Sequence, residues 1–295
     1  MNSRRVSWLI ATGLIYLTGV CAGAQTMSYR DIEKLPRPKA DYRIPYGTLP
    51  LQFGELRLPK GKGPFPVVVV IHGGCWFSAY DLNHLASFTD SLTRQGFATW
   101  TIEYRRVGDP GGGWPGTFQD VASGTDYVAR LTKKYNLDSK RIVVIGHSAG
   151  GQLALWLASR NGKESMLSPT KPVKINGVVS LAGIADMRSF IPACDDSVRK
   201  LLGGGPEQFP DRFKAVSPME LPSAKVPVKL VHGAKDVIVP KEQAIAYDAR
   251  SRKEGAESEL LLLPEAGHFE LVSPSGPGFD AVVSAIRSLL QKPLH

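Results

Sequence analysis

The sequence predicts a single doubly wound α/β domain, a mostly parallel sheet with helices on both faces. Two observations carry that expectation. Short apolar runs rich in β-branched residues alternate with helical patterns along most of the chain, the rhythm of βαβ units. The 295 residues contain no internal repeat and no second regime of composition, and that length is enough to bury one large core. An apolar share of 43% and a charged share of 21% exclude a disordered or collagen-like chain, and three cysteines are too few for a disulfide scaffold.

Residues 1–24 read as an address. Arg4 and Arg5 precede an apolar stretch from Val6 to Val20, and Ala22-Gly23-Ala24 stands before Gln25. That is the basic region, apolar region and A-x-A site of a secretory signal peptide cleaved after Ala24. The apolar run, about 15 residues, is shorter than the roughly 20 a helix needs to span a bilayer. Export to the periplasm or the medium is therefore expected, with no stable membrane anchor. Cleavage removes two arginines, so the formal charge falls from +9 to +7. The densest basic stretch, Arg130 to Arg141, lies on a predicted helix and its exit loop and reads as a solvated face, not a nucleic-acid site. Two cysteines remain, Cys75 and Cys194, 119 positions apart. The sequence leaves open whether they pair or stay as two buried thiols.

Residues 25–47 are polar, proline-bearing and without a period, a surface lead-in to the α/β domain, expected over 48–292. Leu49 to Leu58 suits antiparallel edge strands. Buried strands are expected at Pro66 to Ile71, Phe97 to Ile102, Arg141 to Ile145, Ile175 to Leu181, Val226 to Val231 and Glu259 to Leu263. Helices are expected at Leu82 to Gln95, Thr117 to Tyr135, Gln152 to Arg160, Pro240 to Glu254 and Pro277 to Gln291. Residues 184–221 break the rhythm and read as a small lid-like insert, and Gly108 to Gly116 reads as a loop around Trp114.

Gly146-His147-Ser148-Ala149-Gly150 fits G-x-S-x-G directly after one strand and directly before one helix, the setting in which glycines let a serine sit exposed on a sharp turn. A serine hydroxyl needs a base to take its proton and a third group to orient that base. His268 follows the last strand, and Asp236 follows the strand before it. Ser148, Asp236 and His268 thus all fall at the carboxyl edge of the sheet, where open α/β sheets place their sites, in the order Ser, Asp, His. His232 directly abuts its strand and reads as packed or hydrogen-bonded. Asp186 is the alternative acid. Oxyanion donors are expected from the N–H groups of Ala149 and, in the loop His72-Gly73-Gly74-Cys75-Trp76, of Gly74 and Cys75. Trp76, Phe77, Trp114 and Phe190 are candidate aromatic walls of a substrate pocket, each equally suited to the core.

Together His72-Gly-Gly-Cys-Trp76, Gly146-His-Ser-Ala-Gly-Gly151, His232-Gly-Ala-Lys-Asp236 and Gly267-His268 resemble the α/β-hydrolases. The H-G-G-x-W form resembles the branch of small carboxylesterases, feruloyl- or acetyl-esterase-like proteins and kynurenine formamidase-like arylformamidases. Cys75 stands where hormone-sensitive-lipase-like esterases carry a third glycine, which favours that branch over theirs. The resemblance implies a single α/β-hydrolase domain and an exported serine hydrolase acting on carboxylic esters of small or aryl substrates. Its partner is then a small-molecule ester or amide. Arylformamide cleavage is the alternative reaction, which export disfavours, and a non-catalytic binding module on the same scaffold is a third reading. No metal or organic cofactor is implied, because H-E-x-x-H, C-x-x-C and phosphate-cradling G-K-[ST] motifs are all missing.

Overall fold

The computed structural model describes residues 26–160 and 165–294. The expected signal peptide, residues 1–24, lies outside the described residues. No helix among the described residues is long and apolar enough to cross a membrane.

A short helix α1 (Tyr29–Glu33) precedes strands β1 (Tyr42–Pro45), β2 (Phe53–Arg57) and β3 (Phe65–Ile71). Helix α2 (Ala86–Arg94) and strand β4 (Ala98–Ile102) follow, then α3 (Gly116–Asp126), α4 (Val128–Lys134), β5 (Leu137–His147) and α5 (Ala149–Ala158). The chain continues through β6 (Gly177–Leu181), α6 (Ser197–Leu202), α7 (Pro210–Val216), β7 (Val228–Gly233), α8 (Glu242–Lys253), β8 (Ser258–Leu263) and α9 (Phe279–Leu289). The eight strands form one sheet in the order β1-β2-β4-β3-β5-β6-β7-β8. Strands β4 to β8 pair in parallel with β3 and one another, whereas β1–β2 and β2–β4 are antiparallel.

The continuous valine run of β3 is explained by cover on both faces. Val67, Val69 and Ile71 face a core built with Trp100, Phe118 and Leu153, while Val68 and Val70 face a second core built with Phe88, Leu92, Val282 and Ile286. Thus α3, α4, α5 and α8 cover one face, and α2 and α9 cover the other. Each fully buried Val, Leu or Phe contributes about 1.5–3 kcal/mol, so the two clusters supply the main driving force for the fold.

Two expectations need correction. The lead-in is more than a surface segment: it holds edge strand β1, it buries Ile32, and Thr26 to Tyr29 line a cavity of about 980 Å³. The antiparallel pair at the sheet edge is therefore β1 with β2, not two strands within Leu49 to Leu58. The insert 184–221 also contributes more to the core than a lid would. Ile184, Met187, Phe190, Leu202, Phe213 and Val216 are buried in the first cluster, and only Cys194 and Asp195 of the insert line the cavity.

Candidate active site

Strands β3, β5, β7 and β8 all end at one edge of the sheet, so the loops that follow them converge there. Ser148 follows β5, flanked by the loop after β3 on one side. Its backbone has φ 57° and ψ −120°, a conformation that costs a non-glycine residue about 1–3 kcal/mol. The turn is held by Ser148 N–H donating to Leu181 O (2.8 Å) and Gly151 N–H donating to Ser148 O (2.8 Å). Glycine is required beside it because a Cβ on Gly146 would sit 1.9 Å from Gly150 O, and one on Gly150 would sit 2.2 Å from Ile71 O.

His268 Nδ1 donates to Asp236 Oδ2 at 2.7 Å. Asp236 Oδ1 accepts from the N–H groups of Ile238 (2.8 Å) and Val239 (2.9 Å), so the carboxylate is fixed before it meets the imidazole. Burial pushes the Asp236 carboxyl up, but hydrogen bonds from His232 and His268 outweigh it and hold the group well below the usual carboxylate range. Ser148 and His268 open into the same cavity of about 980 Å³. Ser148 Oγ makes no protein hydrogen bond among the described residues, so its hydroxyl is free toward the cavity.

His232 Nε2 donates to Val239 O (2.9 Å) and lies 3.4 Å from Asp236 Oδ2, fully buried, in agreement with its reading as a packed residue. Asp186 Oδ1 accepts from Arg188 N–H (3.0 Å) in a turn of the insert and is not among the residues around the cavity.

The loop after β3 is held from beneath by a buried polar network. His72 Nε2 lies 2.9 Å from Glu103 Oε1, Glu103 also accepts from Leu82 N–H (3.2 Å) and Tyr104 N–H (3.0 Å), and Arg106 lies 3.1 Å from it. Burial pushes Glu103 up, but His72 and Arg106 hold it below the ordinary glutamate value. Among the described residues the N–H groups of Gly74, Cys75 and Ala149 donate to no protein acceptor. For Ala149 the reason is its place at the first position of α5, where no intrahelical acceptor exists. Gly74 and Cys75, with Ser148, border the cavity.

Of the four aromatic candidates only Phe77 lines this cavity. Trp76 is fully buried, its indole N–H donating to Gln152 Oε1 (3.2 Å), and it anchors the loop to α5. Phe190 is core, and Trp114 packs against Phe118 and borders a different cavity. The walls come instead from residues adjacent to the motifs, such as Phe269 and Val237, and from Tyr29, Tyr80 and His84. Adjacency to His268 and Asp236 was a usable signal for Phe269 and Val237, whereas nothing in sequence marked Tyr29. His147, the x before Ser148, has a further part: its Nε2–H donates to His268 O at 3.0 Å. Burial and the neighbouring His268 keep its pKa well below the usual histidine value, so it is neutral.

Fold and site together define an α/β-hydrolase of the carboxylesterase-like kind. The chain belongs to the BD-FAE family, whose model matches residues 55–250. It is 27% identical over 259 residues to Esterase LipC of Mycobacterium tuberculosis, covering 81% of this chain and 63% of LipC. It is also 27% identical over 217 residues to the kynurenine formamidase avaC of Aspergillus versicolor, covering 61% of this chain and 73% of that protein. The chain spans between about half and just under two thirds of the length of the esterase relatives it matches. A truncated carbohydrate esterase from gut microbiota shares the fold with a TM-score of 0.74 at 22% identity, over 85% of this chain and 95% of that one.

Proposed function

We propose that the protein is an exported serine hydrolase that cleaves carboxylic esters of small or aryl substrates through an acyl-enzyme. The observation that carries the reading is convergence on one cavity. A serine on a strained strand-to-helix turn, an imidazole tied to a fixed carboxylate and the Gly74–Cys75 segment with its two unpaired N–H groups meet there, and the unpaired Ala149 N–H directly follows Ser148 at the start of α5. Ser148 Oγ attacks the ester carbonyl while His268 Nε2 takes its proton. Asp236 stays ionised and stabilises the imidazolium. The tetrahedral oxyanion receives hydrogen bonds from Gly74, Cys75 and Ala149 N–H, whose orientation is set before the charge develops. His268 then protonates the departing alcohol, and water deacylates Ser148 by the same route in reverse. His147 holds the backbone of His268 while contributing no charge.

Aryl esters fit the cavity because Tyr29, Phe77, Tyr80 and Phe269 give it aromatic edges. Amide cleavage on an aryl formamide is the second reading, favoured by the likeness to avaC and by the fact that both reactions use the same three side chains. Export rests on the first 24 residues and is supported by the Cys75–Cys194 disulfide, a bond that persists in oxidising compartments. The test is hydrolysis of p-nitrophenyl acetate, aryl esters and an aryl formamide by the wild type and Ser148→Ala. Ester turnover lost in the variant is the expected result, and turnover retained by a folded Ser148→Ala protein overturns the mechanism. A wide preference for the formamide would reverse the ranking of the two reactions.

A further inference from the structure

The proposed reaction uses the backbone of Cys75 and gives its sulfur no task. That sulfur is bonded to Cys194, 119 positions away, with the two Cα atoms 6.1 Å apart. Both cysteines line the cavity. The bridge joins two left-handed segments. Gly74, Cys75 and Trp76 have φ of 105°, 51° and 58°, and Cys194, Asp195 and Asp196 have φ of 50°, 52° and 57°. Only glycine adopts this region without steric cost, so the other five residues remain there because neighbours hold them.

On the Cys75 side backbone hydrogen bonds reach the carbonyls either side of Cys75 but leave Cys75 itself unbonded. Gly74 O accepts from Phe77 N–H (2.9 Å), and Trp76 O accepts from Val107 N–H (2.8 Å). Cys75 itself has no backbone hydrogen bond through either its N–H or its carbonyl among the described residues. Its sulfur is the tether. The far end of the tether is firm: Cys194 O accepts from Ser197 N–H (3.1 Å) at the start of α6, and Leu201 of the same helix accepts from Trp114 N–H (2.8 Å). Val198, Leu201 and Leu202 bury α6 in the core.

We infer that the Cys75–Cys194 bridge aims the Gly74 and Cys75 N–H groups at the oxyanion, which makes Cys194 a positioning residue and full turnover a property of the oxidised protein. The inference rests on the proposed assignment of those N–H groups. In the step that releases them, a dithiol reductant supplies two electrons and two protons. The S–S bond breaks, two S–H bonds form, and the dithiol becomes its own disulfide. Cys75 then has no bond to hold its left-handed backbone, and the donors leave their aim. Because the oxyanion exists only along the reaction path, the loss falls on kcat and not on KM. A bridge that served only to hold Cys194 and Asp195 as cavity wall would act on KM instead.

The experiment compares oxidised wild type, wild type reduced by dithiothreitol, Cys194→Ser, and the double variant Cys75→Ser/Cys194→Ser on a p-nitrophenyl ester. Active sites are counted by the endpoint of fluorophosphonate labelling, and folding is followed by circular dichroism. Deleting one oxyanion donor costs about 10²–10³-fold in kcat, so displacing donors is expected to lower kcat per labelled site by at least about tenfold. KM should stay within about twofold. The Ki of a trifluoromethyl ketone, whose adduct carries the oxyanion, should rise in step with the fall in kcat. Oxidised glutathione should restore the reduced wild type and leave Cys194→Ser unchanged. If the variants do not fold, the folded, reduced wild type decides alone. An unchanged kcat per labelled site, or a rise in KM with kcat retained, overturns the inference while leaving the esterase reading intact. Failure of the oxidised wild type both to label and to hydrolyse esters overturns the esterase reading, and the inference with it.

Discussion

His84 is buried in the cavity wall, its pKa pulled down to about 3 by burial and then by the neighbouring His72 ring. In the unfolded chain the same imidazole titrates near 6.5. Below that value the unfolded state binds a proton that the native state refuses, so His84 makes stability fall as pH falls. Between pH 7.5 and 5.5 a site protonated only in the unfolded state changes stability by RT ln of about ten, or about 1.4 kcal/mol. His84→Gln removes that contribution. Urea unfolding of wild type and variant at the two pH values isolates it, since all other titrations are common to both. The variant's loss on acidification should be smaller than the wild type's by about 1.4 kcal/mol. An identical loss in both proteins would refute the claim that His84 is held neutral by burial.

Three other perturbations have expected outcomes. In Asp236→Asn the amide oxygen still accepts from Ile238 and Val239 N–H while the bond from His268 Nδ1–H is lost, so the protein should fold and kcat for an ester should drop by about 10⁴-fold in steady-state kinetics. Because the Asp236 pKa is depressed, the carboxylate stabilises the native state above the ordinary aspartate value near 3.9 and loses that contribution as pH falls through its lower folded value. The same variant should therefore show a shallower acid-unfolding curve below about pH 4. Gly150→Ala brings a Cβ to 2.2 Å from Ile71 O and 2.6 Å from His72 O, both backbone atoms, and should destabilise by about 1–3 kcal/mol in urea titration. Glu103→Ala leaves the His72 and Arg106 side chains and Leu82 N–H without their shared acceptor and should cost about 3–5 kcal/mol by the same assay.

The buried strands were legible because cover on both faces forces continuous apolar runs, and β3, β4, β6 and β8 fall within a residue or two of the runs that announce them. Strand β1 was not, because it is an edge strand with three of its four residues exposed and a proline at its end. Burial imposes no pattern on such a segment. That Ser148, Asp236 and His268 share one edge of the sheet was legible from strand ends, which topology brings together whatever the loop details. The disulfide was not, since a 119-residue separation sets no distance, and only the core packing of the insert carries Cys194 to the loop after β3. Aromatic residue type was a poor guide to the cavity: Trp76 and Phe190 point into the core, and Tyr29 reaches the cavity because α1 packs beside His84 and Phe269. Side-chain direction at such loop positions is fixed by tertiary packing and leaves no trace in local sequence.

The proposed mechanism requires Ser148 to be an activated nucleophile. Treating the protein with a fluorophosphonate while following ester hydrolysis, then mapping the adduct by peptide mass spectrometry, tests it most directly. One equivalent of label is expected on the peptide carrying Ser148, with activity lost in proportion to labelling. Hydrolysis that survives full labelling of Ser148, or a label found on another residue as activity disappears, would contradict it.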